Sequence, residues 1–304
     1  MRLLVAALTV SVALPPTGHA QDDRYAPLVI QLPTGARPLA MGGWNASIRD
    51  VDAVFGNPAY AGTMTSTSLS LARYADGVKA GVLSSHTTIG VIGIAIGASY
   101  LDYGALTPRV DSTAFASAVL TERGPNAAAS LAGSVALSMS FKGMRWGIAG
   151  TYLEERVESE RASTVAAGVG VSKDLFGNST VGLTVQNIGP PLPARSGEVD
   201  LPLRVALGIT RATFALHPYV DLGLSGGVAV RRDGFVSGGA GGEISWVPIE
   251  GIAFAFRAGV RRPDLRAQEP LTLGLGGAYD RLALDYAFEQ MDGGGAHRLS
   301  IRLR

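Results

Sequence analysis

A chain of 304 residues without a single cysteine excludes a disulfide-stapled secreted fold and a lipid-modified N-terminal cysteine. Its formal net charge of +1, spread without long acidic or basic runs, offers nucleic acid no electrostatic footprint. It has 40 glycines, 47% hydrophobic and 17% charged residues, yet no continuous apolar run of the ~18 residues that a membrane helix needs. An exported soluble domain more often exceeds about 20% charge. Strands that alternate between lipid and a wet lumen produce this mixture.

Residues 1–20 read as a signal peptide. Arg2 supplies the positive start, Leu3 to Leu14 the apolar stretch, Pro15 and Pro16 the break, and Gly18-His19-Ala20 the small residues of a cleavage site. The mature chain is expected to begin near Gln21 and to reside in a bacterial outer membrane. Residues 21–66 lack a two-residue period, and their small residues predict short helices and tight turns. Such a segment in front of a barrel is expected to fill the lumen as a partly helical plug. Within it, Asn57-Pro58-Ala59 reads either as a plain turn or as an anchoring turn whose Asn side chain bonds backbone groups.

From residue 67 to 304 the chain alternates, strand after strand. In Ala129–Phe141, Leu131, Val135, Leu137, Met139 and Phe141 share one face, and Ser130, Ala132, Ser134, Ala136, Ser138 and Ser140 the other. The rhythm returns around Ile92–Tyr100, Val165–Val171, Val181–Val185, Leu203–Ile209, Val220–Val230, Ile252–Val260, Leu271–Leu275 and Leu282–Phe288. Arg204, Asp221, Arg257, Arg261, Asp285 and Glu289 fall on the second face, where they would be costly against lipid but tolerable in a lumen. The prediction is an all-β transmembrane barrel of about 14 antiparallel strands, give or take two, because alternation fades over Asp111–Asn126. A soluble β-sandwich also alternates, but its outer face should carry Lys, Glu, Thr and Gln rather than Gly, Ala and Ser.

Little points to catalysis, metal or cofactor. His86, His217 and His297 are far apart in sequence and lack ligand spacing. In Ser84-Ser85-His86, neighbours on a strand point to opposite faces, so a histidine at a strand end near the headgroups is the simpler reading. Gly238-Gly-Ala-Gly-Gly242 lacks the setting of a phosphate loop and reads as glycine-lined lumen or a bulge. Tyr100, Trp146, Tyr152, Trp246, Tyr279 and Tyr286 are expected near strand ends as an interfacial girdle.

The order of several motifs resembles the PorV/PorQ group of outer-membrane barrels, itself related to FadL-type long-chain fatty-acid transporters. These are Gly35-Ala-Arg-Pro-Leu-Ala-Met-Gly-Gly43, Arg49-Asp-Val-Asp-Ala53, Asn57-Pro-Ala59, Val181-Gly-Leu-Thr-Val-Gln-Asn-Ile-Gly189, Leu201-Pro-Leu-Arg204, Phe256–Val260 and His297–Ile301. Tyr60 after Asn-Pro-Ala and the final Arg304 depart from the group's pattern. The resemblance implies that Arg37, Met41, Gly42, Gly43, Asp50, Asn57, Pro58 and Ala59 seat the plug. It also implies a non-enzymatic accessory of a type IX-like secretion route, with secretion subunits or cargo as partners. The alternative is a FadL-like channel for hydrophobic small molecules such as long-chain fatty acids.

Overall fold

The computed structural model describes residues 25–304 apart from 44–45, 75–76, 104–127, 158–159, 177, 195–196, 264, 266 and 292. Residues 1–20, where a signal peptide is expected, and Asp111–Asn126 therefore lie outside the described residues. Among the described residues sixteen strands follow one another. They are β1 (Ser66–Arg73), β2 (Lys79–Ile89), β3 (Ile92–Asp102), β4 (Ala129–Phe141), β5 (Met144–Val157), β6 (Glu160–Asp174), β7 (Ser179–Ile188) and β8 (Leu192–Ala194). The rest are β9 (Gly197–Val199), β10 (Arg204–His217), β11 (Val220–Arg231), β12 (Val236–Ile249), β13 (Ile252–Arg262), β14 (Gln268–Tyr279), β15 (Leu282–Met291) and β16 (Gly294–Leu303). Fourteen of them close into an antiparallel barrel sealed by β1 against β16; β8 and β9 form a separate small hairpin.

The two-residue rhythm sorts the side chains as the sequence predicts. Outward-facing Leu71, Val135, Ile148 and Leu275 are each more than half exposed, while inward-facing Ser70, Ala132, Ala136 and Thr272 are fully buried. A soluble protein would not leave a continuous belt of large aliphatic side chains uncovered; a lipid solvent reverses the preference.

The barrel has two unlike ends. The turn end holds the start of β1, the finish of β16 and tight turns such as Lys142-Gly143 (φ +50 and +73). The loop end carries the longer connections, among them 189–203 with β8 and β9. Trp146, Trp246 and Tyr279 lie near the turn end and Tyr100 near the loop end, whereas Tyr152 lies further into its strand. Tyr286 does not fit the girdle: it sits mid-strand, its hydroxyl 2.7 Å from His297 Nδ1. His86 also departs from expectation, since it faces inward at 2% exposure beside the lumen filling instead of standing near the headgroups.

Residues 25–65 run through the lumen. They form 3₁₀ turns at Leu28–Ile30, Val51–Phe55 and Pro58–Tyr60 and one short helix, α1 (Ala36–Ala40). α1 packs on β13–β16, Val51–Phe55 on β1–β4, and Pro58–Tyr60 on β4–β6. Glycine in the wall makes this fit possible. A Cβ at Gly147 would strike the Pro58 carbonyl, and one at Gly241 would strike Met41. Near the loop end, Val29 packs in an apolar cluster with Tyr74, Leu101, Tyr103, Leu153 and Leu201.

Candidate functional site: the contact between plug and wall

Two kinds of contact hold the lumen segment. The first is a buried chain of charges on the β12–β16 side. Arg37 of α1 meets Glu243 in a two-pronged pair, Nε to Oε2 and Nη2 to Oε1, both 3.0 Å. Glu243 also accepts from Arg257, which donates to Asp285 at 2.7 Å. Arg302 reaches Asp285 at 3.7 Å and Asp50 at 3.1 Å. Three guanidinium groups thus alternate with three carboxylates, and none is left uncompensated in a space largely shut from water. Arg261 pairs with Glu289 nearby, and Arg298 donates to the Thr34 carbonyl at 3.1 Å and the Tyr74 hydroxyl at 2.6 Å. Burial opposes the Arg37 charge, but Glu243 outweighs it and raises the pKa. Burial, reinforced by Asp50, pushes Asp52 up to about 6 despite the Ser84 hydroxyl 2.7 Å away.

The second kind, on the β4–β7 side, is neutral. Asn57, fully buried, donates from Nδ2 to the Ala46 carbonyl at 2.8 Å and the Val171 carbonyl at 3.3 Å. Its Oδ1 accepts from the Ala59 amide at 3.0 Å, so one side chain closes the turn and ties it to β6. Gln186 donates to the Gly56 carbonyl at 2.6 Å, Ser138 to that of Ala61 at 2.5 Å and Thr184 to that of Gly56 at 3.3 Å. Wall hydroxyls and amides therefore take the place of water for plug carbonyls that no helix or sheet satisfies. Asn57→Ala is expected to weaken this half by about 1–3 kcal/mol and to raise small-solute leakage through reconstituted barrels. Planar-bilayer conductance equal to that of the unaltered chain would remove any anchoring role for Asn57.

The residues singled out in the sequence do not all converge. Arg37, Asp50, Arg257 and Asp285 meet in one chain of ion pairs, and Arg261 meets Glu289. Met41 and Gly42 lie against Gly241 and Gly259, and Gly43 against the Arg261 guanidinium. Arg204 lines a cavity near the loop end. Asp221 is half-buried and joins no ion pair among the described residues. Glu243 and Arg302 were missed as members of the charge chain, and Arg298 as a second inward arginine that holds the plug. The signal was present: Glu243 continues the parity of Gly239 and Gly241, and Arg298 and Arg302 alternate with Leu299 and Ile301.

Two spaces lie back to back across this wall. Inside, a cavity of about 100 Å³ separates plug residues Val29–Thr34 and Val54–Gly56 from Ala149, Ala166, Ala167, Gly168 and Gln186. Outside, a groove of about 660 Å³ on the lipid-facing surface is lined by Leu137, Met139, Trp146, Ile148, Val169 and Leu183. Thr184 borders both. Between them the β6–β7 ladder slips by one residue at Ala167/Val169. β-Bulges of this kind bend a strand and weaken its local pairing.

No family model and no curated protein matches this chain by sequence. Among solved structures it is similar to the Ralstonia pickettii toluene transporter TbuX, with a TM-score of 0.54, 11% identity, and 90% of this chain and 99% of that chain covered. It is similar to the monoaromatic hydrocarbon channel CymD, with a TM-score of 0.57, 10% identity and 90% and 97% covered. A Pseudomonas aeruginosa FadL homologue gives a TM-score of 0.56, 11% identity and 90% and 99% covered. Identities this low establish a shared fold alone, here a closed antiparallel barrel of fourteen strands.

Proposed function

We propose that this chain is an outer-membrane channel for small hydrophobic molecules, the alternative reading of the sequence, and not a secretion accessory. The observation that carries the proposal is the pairing of an apolar outer groove with an inner cavity across a wall of Gly, Ala and Thr interrupted by a bulge. That arrangement suits a solute entering from the loop end past the Val29–Tyr103 cluster and leaving sideways into lipid. The fold neighbours named for toluene and monoaromatic hydrocarbons support the same class of cargo. The comparisons offer nothing for type IX secretion. Longer loops at one end and tight turns at the other orient the loop end outward.

The cavity of about 100 Å³ is smaller than the ~150 Å³ that accepts a benzene ring, so the form described is closed and passage requires the plug to shift. Deleting the gene and following labelled toluene, labelled long-chain fatty acid and the surface proteome separates the readings. Slower uptake of either solute with unchanged surface proteins is expected. Depleted surface proteins with unchanged uptake would overturn the channel and restore the secretion role.

A further inference from the structure

Cross-strand register brings together, on the outside of the barrel, residues that the sequence scatters. At the loop end His297 of β16 stands opposite Arg73 of β1, and Arg73 opposite Lys79 of β2. Lys79 faces Asp102 of β3, and two strands further on Arg156 of β5 faces Arg161 of β6. Strand parity turns all of them outward. Two residues nearer the barrel's middle, about 7 Å away, the same strands present Leu299, Leu71, Gly81 and Tyr100 to lipid. The charged row therefore stands where acyl chains give way to headgroups.

Like charges directly opposite one another destabilise a sheet unless a counter-ion intervenes. The Arg156–Arg161 pair has one: both guanidinium groups pair with Glu154, which also accepts from the Tyr152 hydroxyl at 2.8 Å. The Arg73–Lys79 pair has none among the described residues. Asp102 lies on the far side of Lys79, Asp76 of the connecting turn is outside the described residues, and no described carboxylate forms an ion pair with Arg73 or Lys79. Gly81, directly below Lys79, leaves open surface beside Leu71.

We propose that Arg73 and Lys79 clamp the phosphate of an outer-leaflet glycolipid, with its acyl chains running down past Gly81 and Leu71. Arginine offers a planar fork to phosphate oxygens and lysine a mobile point charge, a combination suited to a phosphomonoester at a membrane surface. The inference needs the loop end to face outward, as proposed above, but not that the pore passes hydrocarbons. A failed uptake assay would leave it standing.

The test measures retention of a fluorescent, diphosphorylated glucosamine glycolipid by the full barrel in detergent. Unlabelled glycolipid, its dephosphorylated form and inorganic phosphate serve as competitors. The Arg73→Ala/Lys79→Ala variant is expected to bind at least about tenfold more weakly, one charge-assisted contact being worth about that factor. Arg156→Ala should bind as the unaltered chain does, and neither dephosphorylated lipid nor inorganic phosphate should compete at matched concentration. Lys79→Gln guards against misfolding, since it removes the repulsion from Arg73 without setting a second carboxylate opposite Asp102: it should keep the unfolding temperature while losing the lipid. Equal retention by the double variant, equal competition by dephosphorylated lipid, or displacement by inorganic phosphate would overturn the clamp.

Discussion

Replacing Arg257 with methionine is expected to lower the stability of the folded barrel by about 3–5 kcal/mol, read as an earlier urea midpoint in detergent. The magnitude follows from what remains behind. Glu243 and Asp285 are 7% and 5% exposed, and both lean on the Arg257 guanidinium. Arg37 still neutralises Glu243, and Arg302 sits 3.7 Å from Asp285, so the loss should fall mainly on Asp285. Asp221→Asn is the matched control. It removes an inward charge that makes no described ion pair and should change stability by no more than about 0.5 kcal/mol. Equal midpoints for the two variants would show that the charge chain is decorative.

Gly147→Val is expected to act on the pore rather than on the barrel. The added side chain would occupy the space of the Pro58 carbonyl, so either the wall bulges or the plug withdraws. Overpacking of this kind costs about 1–3 kcal/mol, which moves a plugged-to-open equilibrium by roughly 5- to 150-fold. Ion conductance in planar bilayers should rise accordingly. Gly150, on the same strand but facing outward, has nothing within 4 Å of an added Cβ, and Gly150→Val should conduct as the unaltered chain does. A quiet Gly147→Val channel would mean that the plug yields without leaving.

The barrel was readable because membrane and lumen impose opposite chemistry on alternate residues. Leu131 against Ser130 is a local fact that needs no knowledge of partners. The inward sense of Arg257, Arg261, Asp285 and Glu289 was readable for the same reason. Which charge meets which was not. Glu243 and Arg257 face each other because of the β12–β13 register, and Arg302 finds Asp50 only once β16 has closed on β1. The Gly238–Gly242 run hid Glu243 by interrupting the apolar alternation that would have marked its strand. His86 was misplaced because a strand end in sequence is not a barrel end in space when a neighbouring segment covers it. The outward clamp of Arg73 and Lys79 likewise exists only in the register.

The seam between β1 and β16 has a bearing on biogenesis. Along that final strand Arg298 grips the Thr34 carbonyl, Ser300 accepts from the Ala36 amide at 3.0 Å, and Arg302 holds Asp50. Zipping the last hairpin onto the first strand and seating the inner segment are thus one thermodynamic step. A vacant bore would leave those guanidinium groups to water and forfeit their bonds to Thr34 and Asp50, so closure with the inner segment seated is the more stable outcome.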